Sequence, residues 1–255
     1  MYRAFLLEHF QWPTHWVSEG KAIQQNLVQE ARESFSAFEK NKAIDATFLR
    51  DQWFPEVDTE VFISHSHTDE DIALNLAGFL KSELKLDSFI DSCVWGHSND
   101  LLRNLDDDCC WQEESKTYNY NLRNGTTSHV HMMLSTAISR MLDKCECVIF
   151  VSSPNSVSTS QGLDSAVSSP WIFYELSQIQ ILRKRKPEAH RRIFKEAKAD
   201  FSVRKELPPF RYSVDFSSLT QIDSDDLEQW ATEFSESLPG HKHPLDILYE
   251  MLSKA

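Results

Sequence analysis

The stretch EVFISHSHTDEDIALNLAGFLKSELKLDSFIDSCVWG, residues 60–96, constrains the fold more than any other part of the chain. Val61, Phe62 and Ile63 form an apolar run too short for a helix, so they read as a buried strand. Ser64, His65, Ser66 and His67 end that run with four polar residues. Asp69 then starts an amphipathic helix, with Ile72, Leu76, Phe79 and Leu80 on one face of a 3.6-residue period. Phe89 and Ile90, between Asp87 and Asp91, read as a second strand. A strand–helix–strand unit of this kind builds a parallel sheet with a right-handed crossover. Ligands of open parallel sheets bind just beyond the carboxyl ends of the strands. Those ends carry Ser64, His65 and Ser66 on one strand, and Asp91, Trp95 and Gly96 on the next.

The rest of the chain is read outward from that unit. Residues 1–57 are expected to form a helical extension. Ser18 can cap a helix reaching about residue 41, with Ile23, Leu27, Ala31, Phe35 and Phe38 as its apolar stripe. That stripe must be covered, either by the main domain, residues 58–255, or as an oligomerisation arm. Residues 97–127 read as a polar insertion, with a short helix at 100–106 followed by a loop. Cys109 and Cys110 are vicinal and lack zinc spacing, while His129 and His131 point to different helix faces, so no metal site is expected.

From Ser128, the residues Val130, Met133, Leu134, Ala137, Ile138, Met141 and Leu142 fit one helical face. Val148, Ile149, Phe150 and Val151 follow as a central parallel strand, and Cys145 and Cys147 lead into it as inert core thiols. Residues 152–169 are serine-rich and predict a mobile loop. Ser169 as N-cap and Pro170 at the first position start a strong helix, in which Trp171 and Glu175 lie one turn apart. The basic run LRKRKPEAHRR after it reads as a solvated helix end. Phe210, Tyr212, Val214 and Phe216 alternate as a last strand, and helices at about 225–236 and 244–252 close the chain. This order predicts an α/β, flavodoxin-like, three-layer sandwich around a mostly parallel sheet.

Composition removes several function classes. The formal net charge of -13 argues against nucleic acid bound through general electrostatics. No apolar run approaches the roughly 20 residues needed to cross a membrane. Ala4–Leu7 is too short for the apolar part of a signal peptide. Five cysteines without framework spacing fit reduced thiols and a cytoplasmic location. There is no glycine-rich phosphate loop, no HExxH and no GxSxG.

The ordered set VFISHS, FID, VIFVSSP and SPWIFYEL resembles Toll/interleukin-1 receptor (TIR) domains, particularly the bacterial NAD-hydrolysing kind. The resemblance covers roughly residues 58–182 well and 207–252 loosely. It implies that Glu175 is the catalytic residue of an NAD glycohydrolase or ADP-ribosyl cyclase. It sets Trp171 beside Glu175, and the strand-end rule adds Ser64, His65, Ser66, Asp91, Trp95 and Gly96 as substrate-binding residues. NAD is then substrate rather than cofactor, and no metal or other cofactor is implied. The implied partners are other TIR domains and a separate effector or sensor protein, in anti-phage defence or signalling. Two departures stand out: many members carry Tyr where this chain has His65, and the insertion at 97–127 is longer than in receptor-type domains. A non-catalytic TIR adaptor, acting through its surfaces, remains the alternative.

Overall fold

A computed structural model describes residues 1–8, 14–32, 45–95, 98–160, 163–167, 169–191, 212–213, 216–237 and 242–253. Its centre is a parallel sheet built from β1 (Arg3–Leu7), β2 (Val61–Ser64), β3 (Ser88–Ile90), β6 (Cys147–Val151) and β10 (Thr220–Ile222). The spatial order is β10-β1-β6-β2-β3, with every pairing parallel. Alternation along each strand sends side chains to two cores. Ala4, Leu6, Phe62, Val148 and Phe150 face one core, while Phe5, Leu7, Val61, Ile63 and Ile149 face the other.

The first core is covered by α2 (Ala46–Trp53), α4 (Asp91–Trp95), α5 (Ser98–Cys109), α6 (Tyr120–Lys144) and α7 (Pro170–Ile181). The second is covered by α3 (Glu70–Leu84), α8 (Ser224–Glu236) and α9 (Pro244–Met251), with α1 (Val17–Arg32) lying on α3. This is the flavodoxin-like three-layer sandwich. Its connectivity carries one exchange. A flavodoxin-like sheet runs 2-1-3-4-5. Here β3-β2-β6 fills the first three places, and the amino-terminal strand β1 takes the fourth, beside β10.

That strand corrects the reading of residues 1–57 as purely helical. Ala4–Leu7 is long enough for a strand buried on both faces, and Phe5 and Leu7 are fully buried. Helix α1 begins at Val17, so Ser18 lies inside it rather than capping it. Phe35 and Phe38 lie outside the described residues.

The insertion is also more structured than its composition suggests. Helix α5 leads into a hairpin of β4 (Trp111–Gln112) and β5 (Thr117–Tyr118). Helix α6 starts at Tyr120 rather than Ser128, because the Asn119 side chain caps it by accepting from the amides of Asn121 and Leu122. The serine-rich segment holds strands β7 (Ser158–Ser160) and β8 (Leu163–Val167), which pair with each other, and β8 pairs in turn with β9 (Tyr212–Ser213). Of the expected last strand at 207–216, Tyr212 and Ser213 join this small antiparallel sheet. The edge of the main sheet is β10 instead, and Phe210 and Val214 lie outside the described residues.

The basic run is not a helix end. Helix α7 stops at Ile181, and the chain leaves it to reach acidic partners at the amino end of the sheet. Arg185 meets Asp143 at 2.7 Å, and Arg191 binds both oxygens of Glu146 at 2.8 Å. Among the described residues, no helix is long and apolar enough to cross a membrane.

Candidate functional site

The chain leaves β2 for β3 through α3 on one face, and returns from β3 to β6 through α4, α5 and α6 on the other. The carboxyl ends of β2 and β6 therefore border a topological switch point, where open α/β sheets bind ligands. Ser64 ends β2 and, two residues after Phe62, faces the α7 layer. Helix α7 is aimed at that point by its start: Ser169 accepts from the amide of Ile172 at 3.3 Å, and Pro170 occupies the first turn. One turn on, Glu175 projects into the interior and is 2 % exposed. The Ser64 hydroxyl donates to its Oε2.

Burial pushes the Glu175 carboxyl well above its usual range, and the nearby Asp91 charge pushes it further, against the opposing Ser64 hydrogen bond. His65 is buried beside Ser64. Burial lowers the pKa of His65, against a raising influence from Asp91. Its Nε2 lies 3.1 Å from Ser92 Oγ, and its Nδ1 has no partner among the described residues. Next to this group Asp69 is also buried, accepting from Ser153 Oγ at 2.5 Å and Asn155 Nδ2 at 2.7 Å. Those bonds hold the turn after β6 against the turn after β2.

In front of this buried group lies a cleft of about 350 Å³. Its walls include His67, Asp91, Ser92, Trp95, His131 and Trp171. The His131 and Trp171 rings meet edge to face at 5.4 Å. Trp95 is chiefly a core residue, 2 % exposed and packed against Phe89 and Phe54, with only part of it reaching the cleft.

The structure thus sorts the expected site residues into two tiers. Asp91, Trp95 and Trp171 line the cleft, whereas Ser64, His65 and Glu175 are buried. Ser66 bonds to Thr68 at 3.0 Å on the turn that follows β2. Gly96 lies outside the described residues. Ser92, His131 and His67 were not singled out as binding residues by sequence. Ser92 follows Asp91 directly and its place at a strand end was the available signal; His131 comes up in sequence only as a metal ligand beside His129, and nothing in the pattern marked it as a cleft wall.

A second cavity of about 280 Å³ opens at the amino end of the sheet, among Glu60, Asp87, Lys144, Glu146 and Arg191. Its charges are largely paired: Arg191 with Glu146, and Lys144 with Asp58 at 3.5 Å. The carboxyl-end cleft has acids, Glu70 and Asp91, with no ion pair among the described residues, and ring-bearing walls, and we take it as the candidate functional site. Among the described residues, no group of three or more His, Cys, Asp or Glu is arranged to hold a metal ion. Cys145 and Cys147 are fully buried, and burial pushes the Cys145 thiol up to about 12, as expected of inert core thiols. No family model, curated protein or solved structure matches this chain.

Proposed function

We propose that the chain is a TIR-type NAD glycohydrolase or ADP-ribosyl cyclase, cleaving the bond between nicotinamide and ribose in the carboxyl-end cleft. The observation that carries this reading is the pair of acids at the switch point: Glu175, buried and with its carboxyl pKa pushed up, near Asp91 on the cleft wall. Paired carboxyl groups in unlike surroundings are what glycoside cleavage uses.

Nicotinamide is cationic in NAD and departs neutral, so the leaving group needs no strong acid. The ribose left behind carries developing positive charge. A carboxylate facing that charge stabilises it electrostatically, and does so best in a site that excludes water. Glu175 reaches that state when substrate draws it away from Ser64 and its proton passes to solvent water. A cationic ring nearby favours that loss. Trp171 and His131, set edge to face on the cleft wall, offer aromatic contacts to a heteroaromatic ring.

The test is purified full-length protein incubated with NAD, with free nicotinamide followed by chromatography. Release that scales with enzyme and time is expected. A second reading, a non-catalytic TIR adaptor, is favoured by one observation: Glu175 is 2 % exposed and absent from the cleft wall. Absence of nicotinamide release at every protein concentration, together with retained self-association, would select the adaptor.

A further inference from the structure

The cleft wall contains a hydroxyl with a basic partner behind it. Ser92 sits on the cleft surface at the start of α4. Its Oγ is 3.1 Å from Nε2 of His65, which is 6 % exposed. The imidazole is held from β2 on one side and from α4 on the other. We propose that Ser92 and His65 form a hydroxyl–imidazole dyad that accepts the proton of the oxygen nucleophile attacking ribose in this cleft.

The dyad rests on the N-glycoside reading for its substrate, and on geometry alone for its reactivity. In the tautomer carrying its proton on Nδ1, His65 leaves Nε2 free to accept from Ser92 Oγ–H. Burial keeps this imidazole neutral at neutral pH, the form in which it can take a proton. The charged or titratable groups facing it are Asp91 on α4, His67 and Asp69 on the turn after β2, and Glu70 at the start of α3. Glu175, buried and absent from the cleft walls, faces the charge developing on ribose in this scheme rather than the attacking oxygen.

The bond from ribose C1′ to the nicotinamide nitrogen breaks, and its electron pair leaves with the ring. A water oxygen, or the hydroxyl of a second acceptor, bonds to C1′. Its proton passes to Ser92 Oγ as the Ser92 proton passes to His65 Nε2. The imidazolium then releases a proton to solvent.

The test uses the full chain as wild type, Ser92→Ala and His65→Gln, with unfolding midpoints measured on each. One arm follows nicotinamide release across pH. Loss of the dyad is expected to lower kcat by about 10²-fold or more, the scale of general base catalysis. Below the pKa values of both His65 and Glu175, the wild-type log rate should fall with a slope approaching about two, and both variants with a slope of about one. The other arm needs no NAD: a fluorophosphonate probe is incubated with each protein and the intact mass is read. Attack by Ser92 Oγ forms the O–P bond, fluoride leaves, and His65 takes the proton. An adduct on Ser92 in the wild type that is lost in His65→Gln is expected.

Nicotinamide release with the same pH profile in all three proteins would overturn the dyad while leaving the proposed function standing. A His65-dependent adduct without nicotinamide release would do the reverse. A wild type that forms no adduct, or an adduct rate unchanged by His65→Gln, would also overturn the dyad.

Discussion

Glu175 is buried, bonded by a neutral hydroxyl and near the Asp91 charge. Its carboxyl therefore holds a proton more tightly in the folded chain than in the unfolded one. The sign of the linkage follows: its contribution to stability is full below the ordinary carboxyl pKa of 4.5, and is lost as pH rises through the raised value. Glu175→Gln keeps the shape and removes the proton that must be lost. We expect this variant to unfold at a higher temperature than the wild type near neutral pH, with the gap closing in acid. Thermal unfolding across pH measures this, and a midpoint difference independent of pH would contradict the raised pKa. A group that weakens the fold at working pH and is nevertheless present fits a catalytic role, because active sites commonly trade stability for function.

Helices α1 and α3 meet through two glycines. A Cβ on Gly20 would lie 1.9 Å from the Leu74 carbonyl oxygen, and one on Gly78 would lie 2.2 Å from that of Trp16. Both obstacles are backbone, so neither can swing away. Gly20→Ala and Gly78→Ala should each destabilise by at least about 1–3 kcal/mol. Gly125 on α6 meets nothing within 4 Å, so Gly125→Ala should stabilise by roughly 0.5–1 kcal/mol through its higher helix propensity. Urea unfolding of the three variants checks the contrast. β1 gives a second check: Phe5 is fully buried at mid-sheet, and Phe5→Ala should cost about 3–5 kcal/mol in the same assay.

These elements also show what could be read from sequence. The unit β2–α3–β3, strand β6 and the start of α7 were legible because apolar period, caps and length agreed. Strand β1 was missed because four apolar residues near the chain start carry no period. Its neighbours β6 and β10 lie more than a hundred residues away in sequence. Hairpin β4–β5 was missed because its strands are two residues each and largely exposed, so no alternation marks them. The site residues at strand ends were legible from the parallel-sheet rule. Their division into a buried tier and a cleft-facing tier depends on how α7 packs over β2, which no local pattern encodes.

At the scale of the whole molecule, the sheet has one end that carries the candidate site and one that is a fastening end. At the amino end, Arg191 clasps Glu146 with two bonds and also binds Asp246 of α9 at 2.8 Å. Glu146 is 1 % exposed. Arg191→Ala would leave that carboxylate buried without its cation, and should destabilise by about 3–5 kcal/mol. Glu146→Gln added to Arg191→Ala should recover part of the loss, which a double-mutant cycle measures. None of these changes touches the carboxyl-end cleft, so activity at a temperature where the variants remain folded should be kept.

The central claim concerns the other end. Its most direct measurement is nicotinamide release from NAD by wild type and Glu175→Gln, side by side and at matched folded fraction. The account predicts release by the wild type and none above background by Glu175→Gln. Equal turnover by the two folded proteins would contradict it.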